Sequence, residues 1–184
     1  KIFGFLSAFI ILTSLTLYQY GVFQLVLSIY GFSAYLTSIG DGVVNNDITH
    51  FIRGKKEGHA RKLFYEYNSI RLFLSICLWA AFFFGATLFE ERYNAEFVAE
   101  IRVISFLFLT EVFFNATESL LATRLSFSVV ASRMAFIKIA QFSALLFFMV
   151  FSKIGLREIF LSMIFGSLVS TITMIPVFFR LHNH

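Results

Sequence analysis

The chain is poor in the residues that carry covalent or metal chemistry. Its one cysteine, Cys77, lies in an apolar run, which excludes an intrachain disulfide or a thiolate metal site and reads as a small core residue. The four histidines, His50, His59, His182 and His184, fall in a polar loop and at the C-terminal end without metal-ligand spacing, as solvated or interfacial side chains do. No nucleotide phosphate loop is present, which argues against ATP hydrolysis within this chain, and no cofactor is implied. Charge is scarce as well: 14% of the 184 residues are charged, and none lies between Ile2 and Gly40.

Apolar residues fill the space. The chain is 58% hydrophobic, with 27 phenylalanines and a mean hydropathy of +0.80. A soluble domain of this size could not hide so much apolar surface, so the class is an all-α integral membrane protein. The formal net charge of +4 does not call for a nucleic-acid partner. The basic residues cluster in one loop and at span ends, where topology and anionic lipid account for them.

That loop, Gly40 to Arg71, is the one long polar interval, and it organises the rest. It holds Arg53, Lys55, Lys56, Arg61, Lys62 and Arg71, which marks a cytoplasmic loop. Within it Leu63, Phe64, Tyr67 and Ile70 recur at helical spacing opposite Arg61, Lys62 and Glu66, predicting an amphipathic helix at the interface that feeds the following span.

Hydropathy then gives six spans, at about 2–18, 22–39, 72–89, 101–122, 131–151 and 158–179, with the basic loop and its helix over 40–71. Gln19-Tyr20-Gly21 is the expected break between the first two. Glu90, Glu91, Arg92, Asn94, Glu96 and Glu100 form an acid-rich turn on the exported side, and Lys153, Gly155 and Arg157 a second outer turn. Small residues at Gly4, Ser7 and Ser14, and at Ser162, Gly166, Ser170 and Thr173, read as packing strips. Pro176 is expected to kink or loosen the last turn of the sixth span.

Ten basic residues then fall inside (Lys1, Arg53, Lys55, Lys56, Arg61, Lys62, Arg71, Arg124, Arg133 and Arg180) against four outside (Arg92, Arg102, Lys153 and Arg157). This bias predicts a multi-pass protein of a cell membrane, of the bacterial cytoplasmic type, with both ends of the segment cytoplasmic. The first residue is Lys1 rather than methionine, and an apolar run far longer than a signal-peptide core follows, so the segment reads as a piece of a longer chain.

Tyr20-Gly21-Val22-Phe23-Gln24-Leu25, Ser38-Ile39-Gly40-Asp41-Gly42, Gly54-Lys55-Lys56-Glu57 and Ala60-Arg61-Lys62-Leu63-Phe64 occur in an order that resembles the N-terminal portion of polysaccharide-export flippases. These O-antigen and teichoic-type transporters belong to the multidrug/oligosaccharidyl-lipid/polysaccharide exporter superfamily. The resemblance implies a six-helix bundle forming one of two lobes about a central cavity that opens to either side in turn. The implied partners are the bilayer, a lipid-linked saccharide, and a second six-helix lobe, either a C-terminal half or a dimer partner. Two departures stand out. Asp47 lies near where many relatives carry a basic residue, and the first span lacks the acid common in cation-coupled drug exporters.

Charge within a span costs several kcal/mol unless it is paired or wetted, so such residues are the functional candidates. Glu111, Asn115 and Glu118 share one face of the fourth span. If the next turn is centred near Ser128, antiparallel pairing sets Lys138 level with Glu118 and Gln141 level with Asn115. A polar stripe with a Glu118–Lys138 ion pair is therefore expected. It either glues two helices or faces the cavity, where Lys138 attracts pyrophosphate oxygens and Glu111 accepts sugar hydroxyls or a proton. Glu118 lies near the inner end of its span, where snorkelling to water is a further reading.

Asn45, Asn46 and Asp47 read as a capped, solvated helix end. Asn115-Ala116-Thr117 forms a glycosylation sequon made unusable by its span, and Gly54 to Gly58 matches GxxxG in a charged loop only.

The expected function is translocation of a lipid-linked oligosaccharide by alternating access, with no enzymatic step. An integral membrane enzyme of cell-envelope glycan or lipid synthesis, or a non-transporting scaffold, is the alternative; no catalytic motif supports the first, and the buried charges are unexplained by the second.

Overall fold

The computed structural model describes residues 2–90, 93, 95–123 and 127–182, with the side chains at 89, 113, 114, 116–123, 127–130, 133 and 174–182 excepted. These residues form seven α-helices: α1 (Ile2–Ser14), α2 (Leu17–Ser38), α3 (Asp41–Arg53), α4 (Glu57–Gly85), α5 (Ala95–Thr123), α6 (Phe127–Phe151) and α7 (Leu156–His182). A 3₁₀ turn, Ala86–Phe89, ends α4. Four stretches are long and apolar enough to cross a membrane: Leu17–Arg53, Glu57–Leu88, Met134–Phe151 and Leu156–Thr173. Ile2–Ser14 is apolar but shorter.

The distribution of side chains suits a lipid solvent. Phe5, Phe9, Phe32, Phe73, Phe84, Phe147 and Phe151 point outward, while Ser7, Ser33, Ser75, Ser105, Ser162, Ser167 and Ser170 are buried. Small hydroxyl residues let helices approach closely where no hydrophobic force drives them together. The Ser105 and Ser162 hydroxyls are satisfied within their own helices, each donating to a carbonyl three residues back at 2.7 Å. The expected packing strip on α7 is buried at Ser162, Gly166 and Ser170, whereas Thr173 is exposed.

Helix α5 is the axis of the bundle. It packs against α2, α3, α4, α6 and α7, and it supplies Phe97, Val98, Ile101, Ile104, Leu107 and Phe108 to the main core. Helix α7 runs parallel to it, joined through Thr171, whose hydroxyl donates to the Thr110 carbonyl at 3.4 Å. Helix α6 lies mainly on α7 and on α1, where the Phe3 and Phe142 rings meet at 5.6 Å.

Three boundaries differ from expectation. The break between the first two helices is at Leu15-Thr16, not Gln19–Gly21. Thr16 and Gln19 form a capping box, with Gln19 N donating to Thr16 Oγ1 at 3.3 Å and Thr16 N to Gln19 Oε1 at 3.2 Å. This pairing starts a helix that runs straight through Gly21. Second, the basic interval contains an extra helix, α3, set off from α2 by Gly40 in the left-handed region (φ +96°). Third, the amphipathic segment and the span after it are one continuous helix, α4. Asn45, Asn46 and Asp47 consequently lie inside α3 rather than at a helix end, with Asn46 and Asp47 exposed. The effect expected of Pro176 falls outside the described side chains.

Candidate functional site: buried polar groups within the bundle

The α3–α4 hairpin closes at Gly54-Lys55-Lys56. Lys56 N donates to Phe51 O at 2.9 Å and Lys55 N to Ile52 O at 3.1 Å, with Lys55 at φ +57°. This is a Schellman closure whose left-handed position is filled by lysine instead of glycine. Ile48 of α3 packs on Ala60 and Phe64 of α4 in a small core of its own.

At the base of this hairpin lies an ionic cluster. Arg71 is 2% exposed, and its Nη1 is 3.0 Å from Asp41 Oδ1. The Tyr67 hydroxyl donates to the same Asp41 oxygen at 2.6 Å, lies 3.2 Å from the Ile39 carbonyl, and its ring sits 5.6 Å from the Arg71 guanidinium. Arg71 Nε and Nη2 find no acceptor among the described residues. The antiparallel register of α4 and α5, set by Arg102 Nε donating to Phe83 O and by the Phe82–Phe108 ring contact, brings Arg71 to the level of positions 113–120. Most side chains there are outside the described set. Removing one member of such a desolvated pair is costly because it strands the other.

The residues expected to share a stripe are distributed over two interfaces. Glu111 is largely buried on α5 and interacts with the Tyr30 hydroxyl of α2. The Tyr30 ring packs on Phe108 at 4.8 Å. Asn115 is half-buried one turn further along α5. On α6, Lys138 is exposed and its Nζ donates to Gln141 Oε1 at 3.3 Å. Gln141 itself is 7% exposed and faces α7, where a Cβ on Gly166 would lie 3.1 Å from Ile137 O and 3.3 Å from Gln141 Cβ. Any larger side chain there would require the Ile137 carbonyl and Gln141 to give way by a few tenths of an ångström. Glu111 and Gln141 thus sit on different seams, and the Glu118–Lys138 pair falls outside the described residues, since the Glu118 side chain is among those excepted.

Sequence reasoning passed over the Asp41–Tyr67–Arg71 cluster. Its available signal was Tyr67 and Arg71 at i, i+4 on one face, with a lone acid directly after Gly40. Glu100 is expected in an acid-rich turn on the exported side, whereas α5 begins at Ala95 and carries that residue into the bundle, 4% exposed. Among the described residues no group of histidine, cysteine and acidic side chains has the arrangement of a metal site.

Compared with models of known protein families, with curated proteins and with solved structures, the chain matches none.

Proposed function

We propose that this chain is one lobe of an alternating-access membrane transporter that moves an amphipathic, lipid-linked saccharide across the bilayer without covalent chemistry. The observation that supports this reading is Glu111, a carboxyl buried near the middle of the axial helix beside Tyr30. An ionisable group kept inside a membrane bundle is costly, and substrate or ion handling is the usual reason for retaining it. A carboxylate and a phenol together accept and donate hydrogen bonds, which matches sugar hydroxyls. The six-span count, the cytoplasmic placement of both ends and the second lobe or second copy belong to this proposal.

The test is flipping of a fluorescent lipid-linked oligosaccharide in vesicles containing the reconstituted protein. Glu111→Gln is expected to slow flipping by about tenfold or more, the scale of a lost charge-assisted hydrogen bond. Full activity of a normally folded Glu111→Gln protein would remove Glu111 from the mechanism. Absence of flipping by the wild type, alone and with a second lobe, would sink the transporter reading.

A further inference from the structure

Two apolar grooves run side by side along α7 at the end of the bundle that carries Glu100. One, of 490 Å³, lies between α4, α5 and α7 and is walled by Phe83, Phe106 and Leu109 opposite Leu161, Ile164 and Leu168. The other, of 610 Å³, lies between α6 and α7 and is walled by Ala144, Phe147 and Phe148 opposite the same three residues. Leu161, Ile164 and Leu168 therefore form a ridge with a groove on either flank. Both volumes fall in the range of about 300–1,000 Å³ found for small-molecule sites.

The first groove has two cations in its lining, Arg102 and Arg157, both toward one end of it. Arg102 is held in place by its Nε donating to the Phe83 carbonyl at 3.2 Å and by the Phe83 ring 6.0 Å from its guanidinium. Neither arginine has a carboxylate within ion-pair distance among the described residues. Of the acids nearby, Glu158 Oε2 accepts from Gly155 N at 2.9 Å, and Glu100 is buried with Oε2 lacking a donor, attracted by Arg157 through space without a formed ion pair, with Glu96 further along the same helix. From Arg157 to Leu168 is eleven residues of helix, or about 16 Å at ~1.5 Å per residue. That is about half of a hydrocarbon core ~30 Å thick, the depth of one leaflet.

We infer that this face is a binding site for one diacyl phospholipid with an anionic head group, its phosphate on Arg102 and Arg157 and one acyl chain in each groove astride the Leu161–Ile164–Leu168 ridge. An apolar channel of one-leaflet depth with a second, shorter one across the ridge suits two acyl chains, and the two guanidinium groups at the head of the first select a phosphate diester. The site is separate from Glu111 and does not rest on the transport reading.

The sole tryptophan reports on it directly. Trp79 contacts Phe83 at 5.7 Å and Phe106 at 6.1 Å, and both rings wall the first groove. The protein is reconstituted in phosphatidylcholine vesicles doped with increasing amounts of either brominated phosphatidylglycerol or brominated phosphatidylcholine, and Trp79 quenching is followed. Quenching by the anionic lipid is expected at several-fold lower mole fraction, and Arg102→Gln and Arg157→Gln are each expected to raise that fraction about fivefold. Lys153→Gln, at the same end but outside both grooves, should change nothing. Arg102→Lys/Arg157→Lys keeps the charge and separates electrostatic loss from misfolding. Equal quenching by the two lipids in the wild type, or a preference untouched by the double glutamine variant, would overturn the site.

Discussion

At the scale of single residues, Glu100 carries the clearest electrostatic consequence. Burial pushes its carboxyl up to about 7; Arg157 opposes the shift, and Glu96 and Glu158 add to it. The folded protein then binds more protons than the unfolded chain between about pH 4.5 and 7, so the stability linked to Glu100 is full below that window and is lost as pH rises through it. Glu100→Gln should flatten this slope: between about pH 5 and 8 the wild type loses more thermal stability in detergent than the variant. Parallel curves would show that Glu100 titrates normally. The residue looked like part of an acid-rich turn because hydropathy averages over a window and cannot tell which face of a helix an acid occupies. Arg71 likewise reads as one of the basic residues of the cytoplasmic loop; its ion-pair partner Asp41 is thirty positions away, and no local pattern carries that contact.

At the scale of elements, the apolar runs legible from hydropathy lie largely within helices, four stretches of which are long and apolar enough to cross a membrane, because long uncharged runs have few alternatives in lipid. What was not legible depended on cap chemistry and on pairing. The T-x-x-Q box at Thr16 outweighed the glycine at position 21. The choice of neighbour for α6 was also hidden: adjacency in the chain favours α5, but Gly166 on α7 offers a closer seat for Gln141. The hairpin turn supplies a test at this scale. Lysine at φ +57° carries part of the roughly 1–2 kcal/mol cost of a left-handed residue, so Lys55→Gly should slow amide exchange across α3 and the first turns of α4. Unchanged or faster exchange would show that the Lys55 side chain contributes more than its backbone costs.

At the scale of the whole molecule, large apolar side chains outside and small hydroxyls inside suit the bundle to a lipid solvent, in keeping with its four stretches long and apolar enough to cross a membrane. Its orientation is open to a simple measurement, since Cys77 is the sole cysteine and Cys77→Ala leaves a thiol-free background. Lys55→Cys and Lys153→Cys in that background should react with an impermeant thiol reagent from opposite faces, Lys55→Cys from the cytoplasm. Labelling of both from one face would collapse the topology, and labelling of Lys55→Cys from outside with Lys153→Cys from the cytoplasm would reverse it. The seat of α1 bears on biogenesis. Its partner is α6, through Phe3 and Phe142, not the helix that follows it. At about 5–20 residues per second, the ribosome takes on the order of ten seconds to make the chain between them. Helix α1 therefore waits over that interval without its neighbour, and a factor that shelters its apolar face until α6 is made would raise the yield of folded protein.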